Sequence, residues 1–236
     1  MKLGIISDAH GNSDGLALCL DFLIKNQKVD EIVFLGDAVG YFPDSTEVCR
    51  LLQKEKILCL MGNHEAMTLG ILPKCDPDNS LVRLPSSSSL PADWLGGVGR
   101  IGPKHTLSLG GVRILLAHAT PDDPLTGKIQ ESKDVRRWSE KARVILVGHT
   151  HRPFARLDKT GSLILNPGSC GYPRDHGTLL SAATLCLPEC RARIWRLPFR
   201  FCETVLRQVH RSVRNVVSRK CKTPVGTVAR NDIIGD

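Results

Sequence analysis

The stretch Gly62-Asn63-His64-Glu65 follows the apolar run Lys56-Ile57-Leu58-Cys59-Leu60-Met61, and its residue types can do chemistry. An asparagine oxygen can bind a metal ion, and an imidazole can move a proton near neutral pH. The same residues would also serve as a plain turn after a buried strand, because Gly-Asn is turn chemistry. Their company decides the matter. Asp8, His10, Asp37, His118, His149 and His151 also stand at the ends of apolar runs. Each alone has a structural use: Asp8 could cap a helix, and His118 could be a buried histidine with a satisfied ring. Coincidence at seven positions is improbable. Imidazole, carboxylate and amide donors without thiolate suit Mn²⁺, Fe, Zn²⁺, Co²⁺ or Ni²⁺ and are poorer for Ca²⁺. Seven donors are too many for one tetrahedral ion. Shared between two ions with a bridging carboxylate, they supply about four contacts each, an arrangement that clamps an in-line displacement at phosphorus.

Such donors need strands to carry them. Lys2-Leu3-Gly4-Ile5-Ile6-Ser7 reads as a short apolar strand that delivers Asp8-Ala9-His10-Gly11-Asn12, and a helix starts near Ser13 with Leu16, Leu20, Leu23 and Ile24 on one face. A second strand over 31–35 ends in Gly36-Asp37, and a helix capped near Asp44 or Ser45 carries Val48, Leu51 and Leu52. The third strand delivers the Asn63 motif. Three strands with helical crossovers predict a parallel, right-handed α/β arrangement with the polar clusters on one sheet edge, where open sheets bind ligands.

Residues 69–102 break this rhythm with Pro73, Pro77, Pro85, Pro91, the serines 86–89 and Gly96-Gly97-Val98-Gly99. They predict a loop-rich insertion and a candidate lid or specificity element. The glycines make no dinucleotide fingerprint, since no strand precedes them and no clear helix follows. Hairpins are then predicted for 105–109 with 112–117, 154–158 with 163–165, and 178–187 with 191–197. A helix containing Trp138 precedes a strand over 142–147, which ends in Gly148-His149-Thr150-His151. The second half reads as mainly antiparallel, and the two halves as two sheets packed face to face.

A chain of 236 residues that is 42% hydrophobic can fill one large core. No window approaches the roughly 18 apolar residues of a membrane span, and the first strand begins at Lys2, so a cytoplasmic protein is expected. The nine cysteines are odd in number and form no Cys-x-x-Cys; Cys19, Cys49, Cys59 and Cys186 read as small buried hydrophobes. The net charge of +8 favours anionic partners without choosing among them. Much of the excess lies in Arg207, Arg211, Arg214, Arg219, Lys220 and Lys222, either a solvated helix face or a nucleic-acid or membrane-surface footprint.

Asp8-x-His10, Gly36-Asp37, Gly62-Asn63-His64-Glu65, His118 and Gly148-His149-Thr150-His151 together resemble the ordered blocks of the calcineurin-like metallophosphoesterase superfamily. Ser7 to Asn12, Gly36 to Asp44, Gly148 to Phe154 and Asn166-Pro167-Gly168-Ser169 are similar to its small bacterial and archaeal phosphodiesterase-like (YfcE-type) branch. The resemblance implies a four-layer α-β-β-α sandwich of two mixed sheets flanked by helices, over residues 1–200; the charge pattern makes 201–236 a basic helix or tail. It implies two divalent transition-metal ions, Mn²⁺ foremost, with Fe, Zn²⁺, Ni²⁺ or Co²⁺ as alternatives. Asp8, His10 and His151 would hold the first ion, Asn63, His118 and His149 the second, and Asp37 would bridge them. A hydroxide between the ions would attack phosphorus, with His64 protonating the leaving oxygen. Asn12 and Ser169 are candidates to orient the substrate, a small phosphate ester.

The chain also departs from the protein serine/threonine phosphatase branch. That branch carries Gly-Asp-x-Val-Asp-Arg-Gly where this chain has Gly36-Asp37-Ala38-Val39-Gly40-Tyr41, and an arginine before its Gly-Asn-His-Glu block where Met61 stands here. Two phosphate-binding arginines are thus missing. So is the acid that orients the catalytic histidine, which leaves Glu65 or a backbone carbonyl to position His64. Alternatives to a phosphodiesterase or phosphomonoesterase are a dinucleoside polyphosphate hydrolase, a cyclic-nucleotide phosphodiesterase and a nuclease. A metal-bearing protein-interaction scaffold like the small retromer subunit, and nucleic-acid binding through the basic tail, are rivals of another class. The scaffold branch lacks the histidine that stands here as His64. Hairpin edges and the insertion offer a face for a homo-oligomer.

Overall fold

The computed structural model describes residues 1–76, 78–129, 138 and 141–218. Its strands are β1 (Lys2–Ile6), β2 (Glu31–Phe34), β3 (Leu58–Cys59), β4 (Lys104–Leu109), β5 (Val112–Ala117), β6 (Val144–Val147), β7 (Phe154–Leu157), β8 (Leu163–Asn166), β9 (Leu179–Cys186) and β10 (Arg191–Pro198). The described helices are α1 (Ser13–Asp21), α2 (Ser45–Lys54), α3 (Asn63–Thr68), α4 (Ala92–Ile101), α5 (Glu203–Gln208) and α6 (Arg211–Val217). One sheet has the order β10-β9-β1-β2-β3 and the other β4-β5-β6-β8-β7.

The period-two alternation of strand side chains sorts the apolar residues into layers. Leu3, Ile5, Val33 and Leu35 of the first sheet meet Ile114, Leu116, Val144 and Leu146 of the second in one core. The opposite face of the first sheet, with Ile6 and Phe34, packs under Leu16 and Leu20 of α1 and Val48 and Leu52 of α2. Beyond the second sheet, Leu115, Ile145, Val147 and Ile164 pack with Ile129 and Trp138. Each such side chain contributes about 1.5–3 kcal/mol by leaving water. The result is the expected pair of mixed sheets flanked by helices.

Both sheets contain a parallel triple, β1-β2-β3 and β5-β6-β8, so the C-terminal ends within each triple lie on one edge. The three predicted hairpins, β4-β5, β7-β8 and β9-β10, form as expected, but within the second sheet only β4 and β7 run antiparallel, around the parallel triple. The β9-β10 hairpin joins the first sheet instead, with β9 antiparallel to β1. A strand buried on both faces is a continuous apolar run whichever way its neighbour points, so partner and direction were not readable locally.

The loop-rich reading of 69–102 also needs correction. Gly96, Gly97 and Gly99 lie inside α4, where Trp94, Leu95 and Val98 are buried in the core shared with α1 and α2. Packing of that stripe overrides the poor helix propensity of glycine. Leu23 is buried as expected, but Ile24, expected on the same face of the first helix, is 41% exposed, because α1 passes into a π-helical turn (Phe22–Asn26). The helix expected around Trp138 lies largely outside the described residues, as do 219–236 of the basic tail. Before that point, Val213 and Val217 of α6 are buried against the first sheet's helical layer. No helix among the described residues is long and apolar enough to cross a membrane.

Candidate metal centre

The two parallel triples deliver their polar residues to one place. Asp8 and His10 follow β1, Asp37 follows β2, Asn63 opens α3 just after β3, His118 follows β5, and His149 and His151 follow β6. Bonds between the two sheets set their separation. The His149 N–H donates to Asp8 Oδ2 at 3.1 Å, and His118 Nδ1 lies 2.8 Å from the Leu35 carbonyl. Asp8, His10, Asp37, His149 and His151 all adopt left-handed backbone, with φ between 52° and 66°. Such conformations cost non-glycine residues about 1–3 kcal/mol each and persist only where the surroundings enforce them.

Donor atoms of Asp8, His10, Asp37 and His151 lie within 4.8 Å of one another, as do those of Asp37, His118 and His149, so Asp37 belongs to both groups. Asn63 Oδ1 joins the second, 3.1 Å from His118 Nε2 and 3.0 Å from His149 Nδ1.

The hydrogen-bond polarity of the rings fits cations here. Nδ1 of His10, His118 and His151 sits on the carbonyls of Val39 (3.3 Å), Leu35 (2.8 Å) and Tyr172 (2.6 Å). A carbonyl only accepts, so Nδ1 carries the hydrogen and Nε2 keeps a bare lone pair. Those lone pairs face other acceptors: His10 Nε2 lies 2.9 Å from His151 Nε2, and His151 Nε2 lies 3.3 Å from Asp8 Oδ1. Asp8 Oδ1 is buried without a hydrogen-bond partner. Acceptors aimed at acceptors repel unless a cation lies among them. Burial favours the neutral form of four of the rings, pushing His10 down to about 3 and His149 to about 4, and lowering His64 and His151 as well. Burial, then the carboxylates of Glu65 and Asp8, pushes the Asp37 carboxyl well up. Neutral imidazoles are what a divalent ion requires, and the charge of such an ion would favour the ionised form of Asp37.

His64 is buried beside this cluster and not within it. Its Nε2 is 3.9 Å from Asp37 Oδ2, its ring lies against those of His10 (4.5 Å) and Tyr41 (5.0 Å), and its Nδ1 has no hydrogen-bond partner. Neither expected orienting group is in place. The Glu65 carboxylate accepts from the N–H groups of Asp37 (2.9 Å), Ala38 (2.8 Å), Val39 (3.2 Å) and Gly62 (2.8 Å). It fixes the loop carrying Asp37 and leaves His64 to ring packing. A Cβ on Gly40 would overlap His64 Nδ1, and one on Gly62 would overlap the Asp37 carboxylate, so both positions need glycine. Glu65→Gln sets an amide N–H against backbone N–H donors in a fully buried position. We expect a loss on the order of 3 kcal/mol in chemical denaturation; a loss under about 0.5 kcal/mol, the range of surface substitutions, would refute this role.

Asn12 and Ser169, expected at the substrate, are spent on the backbone. Asn12 Oδ1 caps α1 by accepting from Gly15 N at 2.9 Å, and its Nδ2 donates to Gly171 O at 3.0 Å. The Ser169 hydroxyl donates to Asp8 O at 2.6 Å and accepts from the N–H groups of Gly171 and Tyr172. Both side chains are buried and hold the loops that carry the donors. Tyr41, Tyr172 and Arg174 were not anticipated. They surround the cluster because the Gly40-Tyr41 and Tyr172-Pro173-Arg174 stretches fold over it, and their only local signal was an arginine and aromatics in glycine-containing loops.

The model of the calcineurin-like phosphoesterase superfamily domain matches residues 1–189. An uncharacterized protein of Methanocaldococcus jannaschii is 27% identical over 189 residues, covering 73% of this chain and 77% of that one. A symmetrical bis(5'-nucleosyl)-tetraphosphatase of Wigglesworthia glossinidia brevipalpis is 39% identical over 72 residues, 30% of this chain and 26% of that enzyme. The crystal structure of a metallophosphoesterase from Sphaerobacter thermophilus superposes with a TM-score of 0.71 at 23% identity, covering 92% of this chain and 98% of that one.

Proposed function

The chain belongs to the calcineurin-like phosphoesterase superfamily, and we propose that it hydrolyses small phosphate esters at the buried cluster, with two divalent ions bound there. Asp8, His10 and His151 would hold one ion, Asn63, His118 and His149 the other, and Asp37 both. When bound, such ions act as Lewis acids toward a phosphoryl oxygen and make water a better nucleophile. The chain's own residues orient and protonate. The carbonyls of Val39, Leu35 and Tyr172 fix three rings with Nε2 inward, and Glu65 fixes Asp37. With Nδ1 unpartnered, His64 would meet the leaving oxygen through Nε2; a bound phosphate's negative charge would favour its imidazolium against burial, and that form would pass its Nε2 hydrogen to the oxygen and return to the neutral ring.

The observation that carries this reading is the set of imidazole lone pairs aimed at one another and at the unpartnered oxygen of Asp8. Manganese is the ion we favour, since mixed nitrogen and oxygen donors without thiolate suit it. Dinucleoside polyphosphates are a second substrate class, supported by the similarity to the tetraphosphatase. The test is a panel of p-nitrophenyl phosphate, bis(p-nitrophenyl) phosphate, a cyclic nucleotide and diadenosine tetraphosphate. Turnover that chelation abolishes and Mn²⁺ restores is the expected result. No turnover on the whole panel with Mn²⁺, Zn²⁺, Ni²⁺ or Co²⁺ would overturn the reading.

A further inference from the structure

Arg174 brings a positive charge to the rim of the cluster without a carboxylate of its own. Its backbone N–H donates to His151 O at 3.3 Å, which ties it to a donor residue. Its guanidinium donates from Nη2 to the Tyr41 hydroxyl at 3.3 Å and lies 5.3 Å from the centre of the Tyr172 ring. The adjacent acid, Asp175, is engaged by Arg196 at 2.7 Å, and no ion pair to Arg174 occurs among the described residues. The exposed guanidinium therefore keeps donors for a ligand.

The residues that hold it are themselves tied to the reacting region. Tyr41 stands edge-on to His10 with ring centres 4.8 Å apart, packs on His64, and lies 4.9 Å from Tyr172. It adopts φ 53°, an unusual conformation for a bulky residue, and its N–H bonds to Val82 O. The backbone thus spends strain to keep this phenol over His10 and His64.

We propose that Arg174, held by Tyr41 and Tyr172, receives a non-bridging oxygen of the scissile phosphoryl group and makes the site prefer esters that carry two negative charges on that phosphorus. The inference rests on the phosphoesterase reading and narrows it to phosphomonoesters. A guanidinium matches two phosphate oxygens in one plane, and its attraction grows with the charge on them. A diester offers one negative charge and a bulkier surround, so it gains less.

The test uses the full chain loaded with Mn²⁺. Arg174→Ala should weaken binding of inorganic phosphate, measured by titration calorimetry, by about tenfold or more, the equivalent of one charge-assisted hydrogen bond. Arg174→Lys, a point charge without the planar fork, should recover part of it. Unchanged melting temperature and ion content would show that the exposed side chain was not holding the fold. Arg174→Ala should also lower kcat/KM on p-nitrophenyl phosphate about tenfold or more, against less than about threefold on bis(p-nitrophenyl) phosphate. Phosphate affinity within about twofold of the parent, or equal losses on the two esters, would overturn the proposal. A parent protein whose phosphate binding depends on Arg174 but which turns over no ester would instead sink the hydrolase reading and leave the anion site standing.

Discussion

His64→Ala should lower turnover of an alkyl phosphate by about 10³-fold while the variant still binds two divalent ions per chain. The two halves of this result come from different features. His64 belongs to neither group of converging donor atoms, and its Nε2 lies 3.9 Å from Asp37 Oδ2. Its backbone N–H, which donates to Asp37 Oδ1 at 2.9 Å, survives the substitution. Truncating the ring strands no polar partner, because Nδ1 has none. A proton donor matters most when the leaving oxygen is basic. The loss should therefore be far smaller with p-nitrophenyl phosphate, whose leaving group departs without a proton. Ion content measured by mass spectrometry and rates on the two esters check this together. An ion-free variant would make His64 a ligand, and equal losses on both esters would remove the general-acid role.

The second large effect concerns Asp37, and its sign reverses with metal. Asp37→Asn should lose the shared carboxylate, so that ion content falls below one per chain and turnover falls to background. The metal-free variant, however, should be more stable than the metal-free parent at pH 7. Burial, then Glu65 and Asp8, hold the Asp37 carboxyl above its usual range. A carboxyl whose folded value lies above its unfolded value binds its proton more tightly in the fold, so it destabilises the fold as pH rises past about 4, the unfolded value. Asparagine removes that penalty. It also keeps an acceptor for His64 N–H and turns a donor toward Nε2 of His10 and His118, now 3.6 and 3.5 Å from Oδ2. Denaturation of both chelated proteins at pH 7 and pH 4 reads the difference, which should vanish at the lower pH. A metal-free Asp37→Asn protein that is weaker at pH 7 would refute the account.

The converging residues were legible because side-chain chemistry depends on residue type, and residue type is written in the chain. Asp8, His10, Asp37, Asn63, His118, His149 and His151 each follow an apolar run, and parallel strands with crossovers bring such run ends to one edge. The roles of their neighbours were less legible. Asn12 and Ser169 have side chains that could face a substrate, yet they bond to backbone amides and carbonyls brought close only by loops distant in sequence. Glu65 sits within the motif, but that it holds the loop of Asp37 and leaves His64 unoriented follows from which N–H groups surround it.

By itself, the sequence determined which polar side chains stand at the ends of the apolar runs, the mixed α/β class and the hairpins, since these rest on local chemistry, on the period-two pattern and on turn residues. Only the tertiary structure decided three things. It put β9-β10 beside β1, because an apolar strand does not name its partner. It made a helix of Ala92–Ile101 despite its glycines, because Trp94 and Val98 found a core to fill. And it folded Tyr41 and Arg174 over the cluster, because two loops separated by more than a hundred residues meet at one sheet edge.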